Sequence, residues 1–228
     1  MGLSRVVTTY LTVARDGTAE IEVKRSRFLC TIARVTEEAD ARAVVDRLRK
    51  EHWGARHHCS AFVLGPGADV QRSSDDGEPA GTAGAPMLDV LRGREVSDVV
   101  AVVTRWFGGV LLGAGGLVRA YGDAVRAGLD DVGTLRRSLL VEHELVVSHA
   151  DAGRLESELR ARGVAVLDVT YADRVTLRLG VPAVEGRENS GLGDDGPDSG
   201  SLAALVAELT AGDAPAPTIV GQRWIDLP

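Results

Sequence analysis

The spacing of apolar positions changes period several times along this chain. Residues 19–23 alternate apolar and polar, the period of a half-buried strand, and residues 27–35 read as a second strand through Phe28, Leu29, Ile32 and Val35. The period then lengthens to that of a helix. Thr36-Glu37-Glu38-Ala39 offers Thr36 as N-cap with acids in the first turn. Ala43, Val44, Val45 and Leu48 supply the apolar face, and Gly54 after Trp53 serves as C-terminal cap. Residues 58–64 return to a strand, Gly65-Pro66-Gly67 breaks it, and a short strand follows near Val70. Residues 73–84 form a polar loop, and a short helix covers 86–91. Residues 99–104 are continuously apolar and mostly β-branched, the pattern of a buried central strand. A glycine-rich loop and a helix over 117–129 complete this part.

A second unit starts near Ser138. Residues 139–147, 164–171, 174–181 and 218–227 read as strands, and 151–162 and 202–209 as helices. The order β-α-β-β-α-β predicts a ferredoxin-like arrangement with helices on one face of its sheet. Residues 185–200 are rich in Gly and Asp without apolar periodicity, which predicts a flexible acidic loop. The expected domains are therefore 1–137 and 138–228, in an α+β chain.

Composition narrows the picture. The 228 residues suit one large or two modest domains. Aromatics make up only 4%, so the core must come from Val, Leu and Ala. The net charge of -7 is uneven: residues 1–138 are near neutral and Arg-rich, and the remainder is strongly acidic. That excludes nucleic-acid binding over the whole surface but allows a local basic groove in the first part. Cys30 and Cys59 are too few for a disulfide scaffold. The start, Met1-Gly2-Leu3-Ser4-Arg5, lacks the apolar core of a signal sequence, and no apolar run reaches the length of a membrane span. A cytoplasmic protein with no membrane partner is the expectation.

Three segments carry candidate chemistry. The first is Arg105-Trp106-Phe107-Gly108-Gly109 through Gly113, Gly115, Gly116, Arg119 and Tyr121, at a strand-to-helix junction. Backbone N–H groups at such a junction can cradle an anion, with Arg105 and Arg119 as further phosphate ligands. The common nucleotide signatures are incomplete. Ala114-Gly115 stands where a Walker loop needs Lys-Ser/Thr, and Val118 stands where a dinucleotide fingerprint needs glycine, so no cofactor is expected. Close strand–helix packing accounts for the glycines equally well. The second segment, Asp75-Asp76-Gly77-Glu78-Pro79 through Thr82 and Gly84, offers Asp76 and Glu78 as acid or base, or simply a structured turn. The third is His57-His58-Cys59. Adjacent histidines on a strand point to opposite faces, and no second ligand pair completes a zinc site, so no metal is expected. His57 and His58 remain candidates for lining a cleft.

Taken together, Ser26-Arg27-Phe28, the His57-His58-Cys59 strand, Asp76-Gly77-Glu78-Pro79 with Gly81-Thr82-Ala83-Gly84, and Arg105 through Tyr121 resemble the YigZ/IMPACT family. Ala80 and Trp106 depart from that family's usual Ser and Tyr, so neither a hydroxyl at 80 nor a phenol at 106 is required. The resemblance implies a first domain of the left-handed βαβ, two-layer type found in a small-subunit ribosomal protein and in elongation factor G. It also implies a second domain like the last domain of elongation factor G. The function it implies is regulation of translation, by binding RNA, the ribosome or a translation-associated protein at a groove lined by residues 75–84 and 105–121. Two other functions stay open: an enzyme acting on a phosphate-bearing small molecule, and a protein-interaction adaptor without RNA contact. The reading favours binding over catalysis.

Overall fold

The structure, a computed structural model, describes residues 7–183 and 197–227. Its elements in chain order are β1 (Thr9–Val13), β2 (Gly17–Val23), β3 (Ser26–Arg34), α1 (Glu38–Glu51), β4 (His57–Leu64), β5 (Val70–Ser74), α2 (Gly84–Gly93), β6 (Val99–Trp106), α3 (Ala114–Val132), β7 (Thr134–Val147), α4 (His149–Ala161), β8 (Ala165–Tyr171), β9 (Val175–Pro182), α5 (Pro197–Thr210) and β10 (Thr218–Leu227). The fold is α+β. It divides into two compact units, Tyr10–Arg136 and Arg137–Leu227, with residues 7–9 grouped with the second.

The first unit is built on a sheet of order β2-β3-β6-β4-β5. Both neighbours of β6 run antiparallel to it, so β3 and β4 are parallel to each other across it, joined through α1. Side chains of a strand alternate between faces. Val99, Ala101 and Val103 of β6 enter a core with Met87 and Leu91 of α2 and Ala124, Val125 and Leu129 of α3. Val100 and Val102 enter another with Ala41 and Leu48 of α1. The expected two layers are thus three here. A strand apolar on both faces needs cover on both, and α1 alone cannot supply it.

In the second unit β7, β9 and β8 lie side by side in that order, with β10 also paired to β7. Leu145 and Val147 of β7 and Val175, Leu177 and Leu179 of β9 pack with Ala152, Leu155 and Leu159 of α4 and with Leu202 and Val206 of α5. The β-α-β-β-α-β order is the expected one.

Local boundaries differ in instructive ways. Thr36 does not cap α1: the N-cap is Glu37, and no side chain bonds there. β1 was not foreseen from the apolar pattern. The acidic loop expected at 185–200 lies mostly outside the described residues, but residues 197–200 belong to α5. Pro197 opens that helix, where its fixed φ and missing N–H cost nothing.

Candidate functional site

The site forms where β6 ends and β3 and β4 begin, with Tyr121 of α3 against it. Register places Phe28 and His57 on either side of Arg105. Arg105 is 6% exposed. Its Nη1 donates to Glu78 Oε1 at 2.5 Å. The guanidinium sits 5.4 Å from the ring centre of Phe28 and 5.8 Å from that of Phe107. The Tyr121 hydroxyl donates to the same Glu78 oxygen at 2.8 Å, and its ring meets Phe28 edge-on at 5.2 Å. The Cys59 thiol donates its one proton to the Asp75 carbonyl at 3.0 Å, and its sulfur lies 3.3 Å from the Tyr121 oxygen. Burial pushes the Cys59 thiol up to about 12, with the Tyr121 hydroxyl opposing it, so it is no nucleophile near neutral pH. Burial likewise raises the Tyr121 hydroxyl. One buried carboxylate therefore ties the 75–84 loop to both ends of the glycine-rich stretch. Arg105 Nε is buried and has no partner among the described residues.

The 75–84 loop is folded inward by its own acids. Asp75 accepts from the N–H groups of Gly81, Ala83 and Gly84 at 2.8–3.0 Å, covering the start of α2. Burial would raise its carboxyl, but these three donors outweigh that and hold it below the ordinary range. Asp76 accepts from Arg49 at 2.7 Å and from the His58 N–H at 2.6 Å. Its carbonyl lies 2.9 Å from His57 Nδ1. A carbonyl only accepts, so Nδ1 carries the proton and Nε2 is the nitrogen 3.9 Å from Glu78. Asp76 and Gly77 take the left-handed conformation at φ 43° and 85° that this turn requires. Thr82 is buried and donates to the Pro79 carbonyl at 2.6 Å. His58 faces the α1 side of the sheet. Burial lowers its pKa, partly offset by Asp76, and its Nε2 has no described partner.

The glycine loop has two kinds of glycine. Gly108 is a packing position: a Cβ there would lie 2.0 Å from the Arg25 carbonyl, and its N–H donates to Ser26 Oγ at 3.2 Å. Gly116 is tight against Leu112 at 3.0 Å. Gly109 and Gly113 supply positive φ, 84° and 72°. Gly115 faces open space, and Gly113 caps α3 without a side-chain bond. Around these turns Phe107, Val110, Leu111 and Val118 are left exposed, Leu111 by 82%. Arg119 is also exposed, with Nε on the Gly115 carbonyl at 3.2 Å. Trp106 lies on the opposite face of the sheet, covered by Arg27 at 4.5 Å and met by His52 at 5.4 Å.

A family model described as Impact N-terminal domain matches residues 24–129, and one described as a domain of unknown function (DUF1949) matches residues 145–185. The chain is 43% identical over 167 residues to IMPACT family member YvyE of Bacillus subtilis, covering 73% of this chain and 77% of that one. It is 41% identical over 184 residues to IMPACT family member YigZ of Escherichia coli, covering 80% and 90%. The chain belongs to the IMPACT family. A solved structure titled as that of a hypothetical protein covers 95% of this chain and 99% of its own, at 34% identity and a TM-score of 0.60.

In this IMPACT family member the sequence candidates sort into two sets. Asp76, Glu78, His57, Thr82, Arg105 and Tyr121 converge, and their polar atoms bond chiefly to one another or to the backbone. His58 and Trp106 lie across the sheet from them, and Arg119 points to solvent. Sequence reasoning passed over Asp75 as an anchor, Arg49 as the partner of Asp76, and Ser26 as the hydroxyl that receives the Gly108 N–H. The Asp75-Asp76-Gly77 turn signature was the available signal for the first; nothing local marks the other two. No group of three His, Cys, Asp or Glu among the described residues is placed to hold a metal ion, and no described helix is long and apolar enough to cross a membrane.

Proposed function

We propose that the protein is a translation-linked regulator that docks on a translation-associated protein through the glycine loop. The translation link is the one implied by its family resemblance. The docking reading is carried by one observation. Phe107, Val110, Leu111 and Val118 are held in the open, and Arg105, at the head of this stretch, is engaged inside the fold, which leaves Arg119 as the exposed charge beside them. Apolar and aromatic surface depleted of charge is the composition of a protein-interface core. The Glu78–Arg105–Tyr121 network serves as the frame that fixes the loop, and Arg105 is already committed to Glu78 rather than free for phosphate. A second reading, acid–base chemistry on a phosphate-bearing small molecule, is favoured by His57 Nε2 standing 3.9 Å from Glu78.

The test is a cell-free translation system and co-sedimentation with ribosomes and purified translation factors. The wild-type protein is expected to change translational output and to co-sediment, and Leu111→Asp with Phe107→Ser to do neither. An active, bound double variant would sink the reading.

A further inference from the structure

The turn between α1 and β4 carries an aromatic that the fold leaves unused. Trp53 is 85% exposed, the largest exposure among the large apolar side chains described. An aromatic of this size ordinarily contributes its area to a core or an interface. The turn that presents it is fixed. The Ala55 N–H donates to the His52 carbonyl at 2.8 Å, and the Arg56 N–H to the Arg105 carbonyl at 3.3 Å. His52 in turn lies edge-on to Trp106, under Arg27.

The surroundings of Trp53 differ from those of the glycine loop. Its neighbours in sequence are Lys50, Glu51, His52, Gly54, Ala55 and Arg56, with no second large apolar side chain among them, and Lys50 follows Arg49, itself engaged with Asp76, in the last turn of α1. Lys50 and Arg56 are exposed and form no ion pair among the described residues. A lone ring with two cations without ion-pair partners within three residues of it in the chain is poorly suited to a protein-interface core. It matches unpaired nucleotides, whose bases stack on aromatic faces while cations meet the phosphates.

We infer that Trp53, flanked by Lys50 and Arg56, is a stacking site for an unpaired base of single-stranded RNA. Unpaired strands are required because a base inside a duplex has no free face. RNA rather than DNA rests on the translation-linked reading; the site shares no residue with the glycine loop.

The experiment is fluorescence anisotropy of the full chain with a labelled oligouridylate of about 12 nucleotides, an RNA duplex and an oligothymidylate of the same length. Wild type is expected to bind the oligouridylate and to prefer it over the other two. Trp53→Ala should weaken binding about tenfold or more, equivalent to about 1.4 kcal/mol, and Trp53→Phe should restore most of it. Lys50→Ala and Arg56→Ala should each make the slope of log affinity against log salt shallower by about 0.7. Thermal melting of Trp53→Ala should match wild type, because the ring supports no packing. Leu111→Asp should leave RNA affinity unchanged while abolishing the docking described above. The inference is overturned by absent oligouridylate binding at low salt, by a Trp53→Ala affinity within about twofold of wild type, by equal binding of duplex or oligothymidylate, or by loss of RNA binding in Leu111→Asp.

Discussion

Neutralising Glu78 tests whether one internal ion pair holds the two signature loops together. In Glu78→Gln the Arg105 guanidinium keeps a hydrogen-bonding oxygen but loses its counter-ion at a position 6% exposed. Tyr121 keeps its acceptor, so the change isolates charge. Removing one partner of a buried pair costs about 3–5 kcal/mol, and with both groups buried no discount for surface screening applies. Arg105→Met produces the complementary fault, a carboxylate buried beside Tyr121 without its cation. Glu78→Gln with Arg105→Met removes the charge imbalance, so it should cost much less than the sum, with a coupling of about 2 kcal/mol or more. A loss of about 3 kcal/mol in a unit of this size lowers its melting temperature by roughly 10 °C. The assay is urea unfolding followed by tryptophan fluorescence in a Trp224→Phe background, since Trp53 and Trp106 lie in the first unit and Trp224 in the second. Single substitutions costing less than about 1 kcal/mol, with no measurable coupling, would refute the reasoning, because a pair screened by water behaves that way.

Three further outcomes follow from the same geometry. Asp75→Ala strips the acceptor from three N–H groups at the start of α2 and should cost about 1–2 kcal/mol in the same unfolding assay, the range for a lost helix cap. Gly108→Ala forces a Cβ onto the Arg25 backbone and should cost about 1–3 kcal/mol, with faster hydrogen exchange in the 107–113 loop, whereas Gly115→Ala should be tolerated. Burial lowers the pKa of His58 and of His143, so the unfolded chain takes up those protons first. Stability should therefore be complete above the ordinary histidine value of 6.5 and decline as pH falls below it; the depressed Asp75 carboxyl adds a second loss only as pH drops below 3.8. Stability measured across pH 4–8 in wild type and His58→Gln checks this, the variant being expected to show a shallower decline near pH 6.

The sequence by itself determined the alternation of strands and helices and the α+β class, because apolar periodicity records which face of an element meets a core. It determined that residues 99–104 are central, since a strand apolar on both sides can sit nowhere else. It also marked residues 75–84 and 105–121 as candidates, through their turn residues and glycines. It did not show which helices cover each face of the first sheet, because that depends on how distant elements share a surface. The roles of the candidate residues were decided only in three dimensions. Arg105 and Glu78 are 27 positions apart, and in sequence each reads as a free ligand; folding sets them 2.5 Å from one another and spends both charges. Gly108 and Gly115 look alike on paper, yet one presses on a neighbouring backbone and the other faces solvent. Trp53 gave no local signal of exposure, since an aromatic beyond a helix end is as readily buried as displayed. Burial and pairing come from contacts between segments remote in the chain, and a local pattern carries no record of them.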